Sequence, residues 1–162
     1  MPAHIEAPST EDRIVESFLL GNNIFVDIVI TRRYNNTVGH SFNSNAYVDG
    51  DGDVICVALA ACQIKFRLFW NSREFKSVMF SGGDPPALLI GPVDPMGNCP
   101  ATLPEPPFHD VVREPTGQMV SVINDNPGGP GKNQFAYKLN VLVVERDDTQ
   151  RLVIIDPRII NK

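Results

Sequence analysis

The chain has 162 residues, of which 43% are hydrophobic and 20% charged, and its formal net charge is −5. This size and composition are typical of one globular domain with its own hydrophobic core, so we predict a single domain over residues 1–162. The acidic balance argues against a nucleic-acid partner, and no apolar run reaches the ~18 residues that a membrane-spanning helix needs.

The cysteine content and the N-terminal sequence bear on the cellular compartment. Cys56, Cys62 and Cys99 are an odd number, so they cannot form a complete set of disulfides within one chain. The N-terminal region also lacks the basic and long apolar segments of a signal peptide. Both observations favour a reducing, cytoplasmic location.

Residues 1–20 predict an N-terminal arm or a short helix. Ser9 followed by Asp12 resembles a capping box, and Gly21 is a residue type that often ends helices. Beyond this segment the pattern changes to period two. Every even position of Ile24–Thr31 is β-branched and apolar, which predicts a strand with one buried face. A polar stretch over residues 34–45 follows.

The run Val54–Trp70 contains the clearest alternation in the chain. Its second half places five apolar residues on one face, namely Cys62, Ile64, Phe66, Leu68 and Trp70. The pattern predicts a strand with one buried and one exposed face, and Phe69 is the apolar exception on the exposed face. Phe25 has the same place on the exposed face of the strand at Ile24–Thr31. The first half is either a second strand or a helix over residues 54–62. The polar connection 71–74 and the run Phe75–Phe80 predict the return strand of a hairpin.

The segment Asp84–Pro115 differs in kind, because it holds nine of the fourteen prolines. Its apolar content is too high for a solvated linker, so we predict an ordered flap. Within it, Leu88–Ile90 should pair as a strand, and Phe108 should be anchored in the core or in an interface. The flap is either a cover over a sheet or a partner-binding surface.

The last third again has the pattern of strands. Gln118–Ile123 predicts one strand, a long strand begins at Phe135, and Leu152–Ile155 pairs back after a turn at residues 146–150. Together these segments predict an all-β fold of about eight strands, a single antiparallel β-sandwich that is loosely immunoglobulin-like. Antiparallel pairing is expected because the connections are too short or irregular for crossover helices.

The strand Leu152–Ile155 is apolar on both faces, and Pro157 closes it. Such a strand should be central or covered, since an exposed flat apolar edge invites aggregation. If it is exposed, we predict that it pairs with a second copy of the chain in a two-fold dimer, which Ile154→Lys should dissociate.

An acidic turn is the one candidate for a metal site. Asp49, Asp51 and Asp53 alternate as in a calcium loop, but Val54 and Ala60 stand where such a loop has Gly and Glu. We therefore predict a solvated turn, with a calcium site as the alternative.

No catalytic motif in the sequence is complete. There is no Gly-x-Ser-x-Gly sequence, and the three histidines lack partners at zinc spacing. Cys99 and His109 are the one thiol and base that lie near each other in sequence, as a catalytic Cys/His pair would require. Nothing in the sequence shows that the two side chains come into contact.

We therefore predict a non-enzymatic binding or assembly module without a cofactor, whose partner is a protein or a second copy. The interaction candidates are Leu88, Ile90, Phe108 and Ile154. One alternative is a binder of sugar or calcium that uses the Asn/Asp-rich loops 35–53 and 124–133. The other is an enzyme with a site dispersed in sequence.

Overall fold

A computed structural model of the chain describes residues 23–56, 61–93, 102–126 and 134–161. All regular secondary structure in these residues is β-strand, which confirms the all-β prediction. The predicted arm or helix over residues 1–20 lies outside the described residues, and no helix in the described part is long and apolar enough to cross a membrane. In chain order the strands are β1 (Asn23–Arg32), β2 (Val38–Asn43), β3 (Val54–Cys56), β4 (Cys62–Trp70), β5 (Ser77–Phe80), β6 (Leu88–Pro92), β7 (Phe108–Arg113), β8 (Met119–Asn124), β9 (Gln134–Val144), β10 (Gln150–Ile155) and β11 (Arg158–Asn161).

The first sheet has five strands in the order β2-β1-β4-β8-β7. Its central pair, β1 and β4, is parallel, with Ile24 opposite Ile64 and Ile30 opposite Trp70. The expectation of purely antiparallel pairing is therefore wrong. A parallel pair needs a crossover connection, and here strands β2 and β3 lie within that connection.

The second sheet is built around the long strand β9. On one side β9 pairs with β10 and β11, and on the other side with β5 and β6. The short strand β3 joins β11 in a second parallel pair. The predicted hairpin between β4 and the Phe75–Phe80 segment is wrong, because β5 pairs with β9 in this second sheet. The physical reason is that Phe75, Val78 and Phe80 are buried in the shared core, so the chain crosses to the other sheet after β4.

One hydrophobic core lies between the two sheets. The predicted inward faces of β1 and β4 are buried, and Phe69 is exposed as expected. The rings of Phe66 in the first sheet and Tyr137 in the second pack with centroids 5.0 Å apart. Alternation in the sequence therefore identified the correct inward faces of these strands.

Three strands lie where the sequence predicts none. The polar stretch 34–45 contains β2, which pairs antiparallel with β1 at the border of the first sheet. The proline-rich segment contains β7 in addition to the predicted strand at Leu88–Ile90, which is confirmed within β6. At the C-terminus, Pro157 ends β10 as expected, but the chain resumes as β11 against the same strand β9.

Candidate functional site

The side of the second sheet formed by β5 and β6 is covered by other parts of the chain. The Phe80 N–H donates to the carbonyl of Gly117 at 2.7 Å, and Arg113 Nε donates to the Phe80 carbonyl at 3.0 Å. The Ile90 N–H donates to the Thr102 carbonyl at 3.2 Å. These contacts occupy backbone groups that would otherwise be open to a further strand.

The two borders of the first sheet are also poor templates for an added strand. In β7 the register shifts between His109 and Val112, and Asp110 adopts a left-handed φ of 55°. A bulge of this kind bends a border strand and interrupts its row of unpaired groups. At the other border, the exposed side chains of β2 are the polar residues Ser41 and Asn43.

In the described part of the chain, the strand β10 has neither a covering segment nor a bulge. Its register with β9 runs without a shift from Gln150 opposite Val144 to Ile155 opposite Leu139, and β9 is its one strand partner among the described residues. No backbone hydrogen bond from the rest of the described chain covers the side of β10 away from β9. We call this unpaired side the β10 edge.

The side chains of β10 make this edge apolar. Leu152 and Ile154 are each 49% exposed, whereas Ile155 is fully buried. The expectation that this strand would be central or covered is therefore wrong for the described part of the chain. The reason is alternation: Ile155 points into the core, so Leu152 and Ile154 fall on the outer face. Leu152 extends a row with Leu142 and Met79, since cross-strand partners share a face.

The turn that leads into β10 is held in place by an ion-pair cluster. The mostly buried carboxylate of Glu145 lies 3.1 Å from Arg151 Nε and forms an ion pair with Arg32 of β1. The Arg32 guanidinium also stacks over the ring of Phe75, 4.9 Å from its centroid. This cluster ties the start of β10 to the first sheet, so the edge is presented in a fixed orientation. Sequence reasoning missed it, because 113 positions separate Arg32 from Glu145 and no motif links them.

The acidic turn has a structural role that accounts for two of its carboxylates. Asp49 Oδ1 accepts the N–H groups of Asp51 and Asp53, at 2.9 and 3.0 Å. The Asp53 carboxylate accepts the backbone N–H and the guanidinium of Arg158, at 3.0 and 2.9 Å. Among the described residues, no group of three or more His, Cys, Asp or Glu side chains is arranged to hold a metal ion. The turn thus fastens the chain before β3 to the start of β11.

Gly52 completes this junction. Its φ of +83° favours glycine, and the ring of Phe42 occupies the space where a side chain would begin. The Gly52 carbonyl accepts a hydrogen bond of 2.6 Å from the fully buried Tyr137 hydroxyl. Burial, together with the nearby charge of Asp53, raises the pKa of Tyr137 well above its ordinary value, which keeps the hydroxyl a donor.

Three of the four predicted interaction residues belong to the core instead. Leu88, Ile90 and Phe108 are all at most 2% exposed, and the Phe108 ring packs edge-to-face on Phe135 with centroids 4.9 Å apart. These three side chains therefore lie too deep for a docking surface in this conformation. Ile154 is the one predicted interaction residue that is exposed.

His109 is held between two carboxylates. Its Nδ1 lies 3.0 Å from Asp110 Oδ2, and its Nε2 lies 2.8 Å from Asp125 Oδ1. The hydrogen bond to Asp125, and more weakly the one to Asp110, raises the pKa of His109. Because both ring nitrogens are occupied, this arrangement does not favour His109 as a base for a thiol; Cys99 lies outside the described residues.

A scan against protein-family models and a search of curated proteins both find no match for this chain.

Proposed function

We propose that the chain is a non-enzymatic assembly module that self-associates through the β10 edge. The observation that carries the proposal is an unbulged, six-residue strand with four apolar residues, whose one described partner is β9. Pairing with a second copy would satisfy the open backbone groups and remove Leu152 and Ile154 from water together. The loosely immunoglobulin-like sandwich is part of the same proposal, as the scaffold that carries the edge.

A two-fold axis through Val153 gives the pairing that best matches the side chains. Two identical antiparallel strands related by such an axis place Val153 opposite its own copy. Leu152 of each copy then lies opposite Ile154 of the other, on the same outer face. Both apolar residues are thus covered by one operation, and the second sheet continues across the dimer.

The experiment is light scattering after size exclusion on the wild-type protein and two lysine variants. Wild type should have twice the mass of one chain, and Ile154→Lys should have the mass of one chain with an unchanged circular dichroism spectrum. The matched control is Phe69→Lys, which places the same charge at another exposed apolar position (44% exposed) on the outer face of the first sheet. It should remain dimeric. A monomeric wild type, or a folded Ile154→Lys that stays dimeric, would refute the proposal.

Cross-linking tests the register. The Cα atoms of directly opposed residues on antiparallel strands lie about 4.5–5.5 Å apart, a distance that a disulfide between two cysteines can span. Val153→Cys should therefore form an intermolecular disulfide under mild oxidation. Leu152→Cys is the control, because in this register its two copies lie on a diagonal and should not bond. The reverse pattern would show that the axis lies elsewhere.

The alternatives have less support in the described residues. A calcium site would need the carboxylates of Asp49 and Asp53, which already bind backbone N–H groups and Arg158. An enzymatic function lacks a free base at His109. The loop over residues 127–133, part of the sugar-binding alternative, lies outside the described residues.

A further inference from the structure

A second feature, on the other side of β9 from β10, is an apolar groove beside β6 and β7. Its volume is about 290 Å³, near the lower end of small-molecule sites. Its walls include Leu88 of β6, Val111 of β7 and the residue pair 103–104. Leu103 and Val111 are 64% and 41% exposed, so apolar surface is open to solvent there. We call this feature the Arg113 groove, after the cation that also lines it.

The Arg113 guanidinium is oriented by the backbone. Its Nε donates to the Phe80 carbonyl at 3.0 Å, and its Nη1 donates to the Glu114 carbonyl at 3.4 Å. These bonds fix the group in place without neutralising its charge.

Arg113 differs in this respect from four other arginines of the described chain, and it shares the lack of an ion pair there with Arg33, Arg73 and Arg146. Arg32, Arg67, Arg151 and Arg158 each form an ion pair with a carboxylate. Within the described residues Arg113 forms none. An oriented guanidinium with an uncompensated charge next to apolar walls is complementary to a carboxylate that carries a hydrocarbon group.

Two glycines keep the space beside the guanidinium open. A Cβ built on Gly82 would lie 3.6 Å from Arg113 Cζ, and a Cβ on Gly83 would meet nothing within 4 Å. Larger residues at these positions would fill part of the groove. Their absence leaves room for a ligand atom in contact with the guanidinium.

We propose that the Arg113 groove binds a small apolar monocarboxylate, such as a medium-chain fatty acid. The hydrocarbon contacts Leu103 and Val111, and the carboxylate accepts hydrogen bonds from Arg113. An extended peptide fits this place less well, because the bulge at Asp110 interrupts the β7 border. The site is separate from the β10 edge and does not depend on self-association.

The test is titration of the wild-type protein with octanoate, followed by amide chemical shifts in ¹H–¹⁵N spectra. Shifts should be largest for residues 81–83, 103–104 and 111–113, and they should saturate. Octanol and octylamine are the chemical controls: octanol should bind at least about tenfold more weakly, because it lacks the charge-assisted bond, and octylamine should not bind. Equal affinity for octanoate and octanol would overturn the role of Arg113, and no saturable shift with octanoate up to about 10 mM would overturn the site.

Two variants localise the binding. Gly83→Leu fills the groove at a position with free space and without a left-handed φ, so it should fold and abolish octanoate binding. Gly50→Leu is the matched control, since it adds the same side chain at another open glycine, in the acidic turn, and should bind as wild type does. Arg113→Gln should lower the affinity for octanoate at least about tenfold and leave the affinity for octanol unchanged. If Arg113→Gln fails to fold, Gly83→Leu decides alone: wild-type affinity in that variant would refute the proposal.

Discussion

Replacement of Phe108 by alanine tests whether the proline-rich segment is a structural cover. The Phe108 side chain is 2% exposed and packs edge-to-face on Phe135, with an interplanar angle of 86°. Truncation of a buried phenylalanine costs about 3–5 kcal/mol, which includes the cavity it leaves. The aromatic contact contributes about 1 kcal/mol of that cost. We therefore expect Phe108→Ala to lose about 4 kcal/mol, a large fraction of the ~5–15 kcal/mol that stabilises a typical domain.

The assay is urea unfolding followed by circular dichroism, at one protein concentration for all variants because self-association adds apparent stability. In a thermal scan the same loss corresponds to a decrease in Tm of about 8–16 °C. Phe69→Ala is the control, since its ring is 44% exposed and its removal should cost less than about 1 kcal/mol. A loss under about 1 kcal/mol for Phe108→Ala, or weakened self-association at unchanged stability, would refute the interpretation as a cover.

Three further outcomes follow from the described contacts. Tyr137→Phe leaves the buried Gly52 carbonyl without its donor, so urea unfolding should show a loss of about 1–2 kcal/mol. Because the pKa of His109 is raised, the folded state favours the imidazolium. The stability that His109 contributes to the fold is therefore complete below about pH 6.5 and disappears as the pH rises through the folded-state pKa. The free energies of unfolding of wild type and His109→Gln should differ by less than about 1 kcal/mol at low pH, because the ring is 43% exposed. This difference should shrink as the pH rises. A difference that grows with pH would contradict the ion pairs with Asp110 and Asp125. Calcium at about 1 mM should leave the Tm unchanged, and an increase in Tm would restore the acidic turn as a metal site.

The sequence predicted which face of each strand is buried better than it predicted which strands pair with each other. Alternation in β1 and β4 identifies which side chains are buried, because period two is a local property of an extended chain. The same alternation does not say which sheet a strand joins. The Phe75–Phe80 segment has an apolar face that fits either sheet. The short polar turn before it favoured a hairpin with β4 in the first sheet, whereas β5 pairs with β9 in the second.

The parallel pair of β1 and β4 was missed for a related reason. A crossover connection is usually recognised by its helix, whereas here strands β2 and β3 lie within the connection. The exposure of Leu152 and Ile154 was also outside what residue patterns contain, because it depends on β10 lying at a border. Contacts between distant residues, such as Arg32 with Glu145, leave no signal in a single sequence.

The central position of β9 has a consequence for the order of folding. Four other strands pair directly with β9, and two of them, β5 and β6, are made well before it. The bond from Arg158 to Asp53 spans 105 positions, and the bond from Tyr137 to Gly52 spans 85. Chains dominated by such distant contacts fold slowly, since much loop entropy is lost before the contacts form. During synthesis β5 and β6 must therefore wait, unpaired, for β9 to emerge, and that interval is when this chain most needs protection from aggregation.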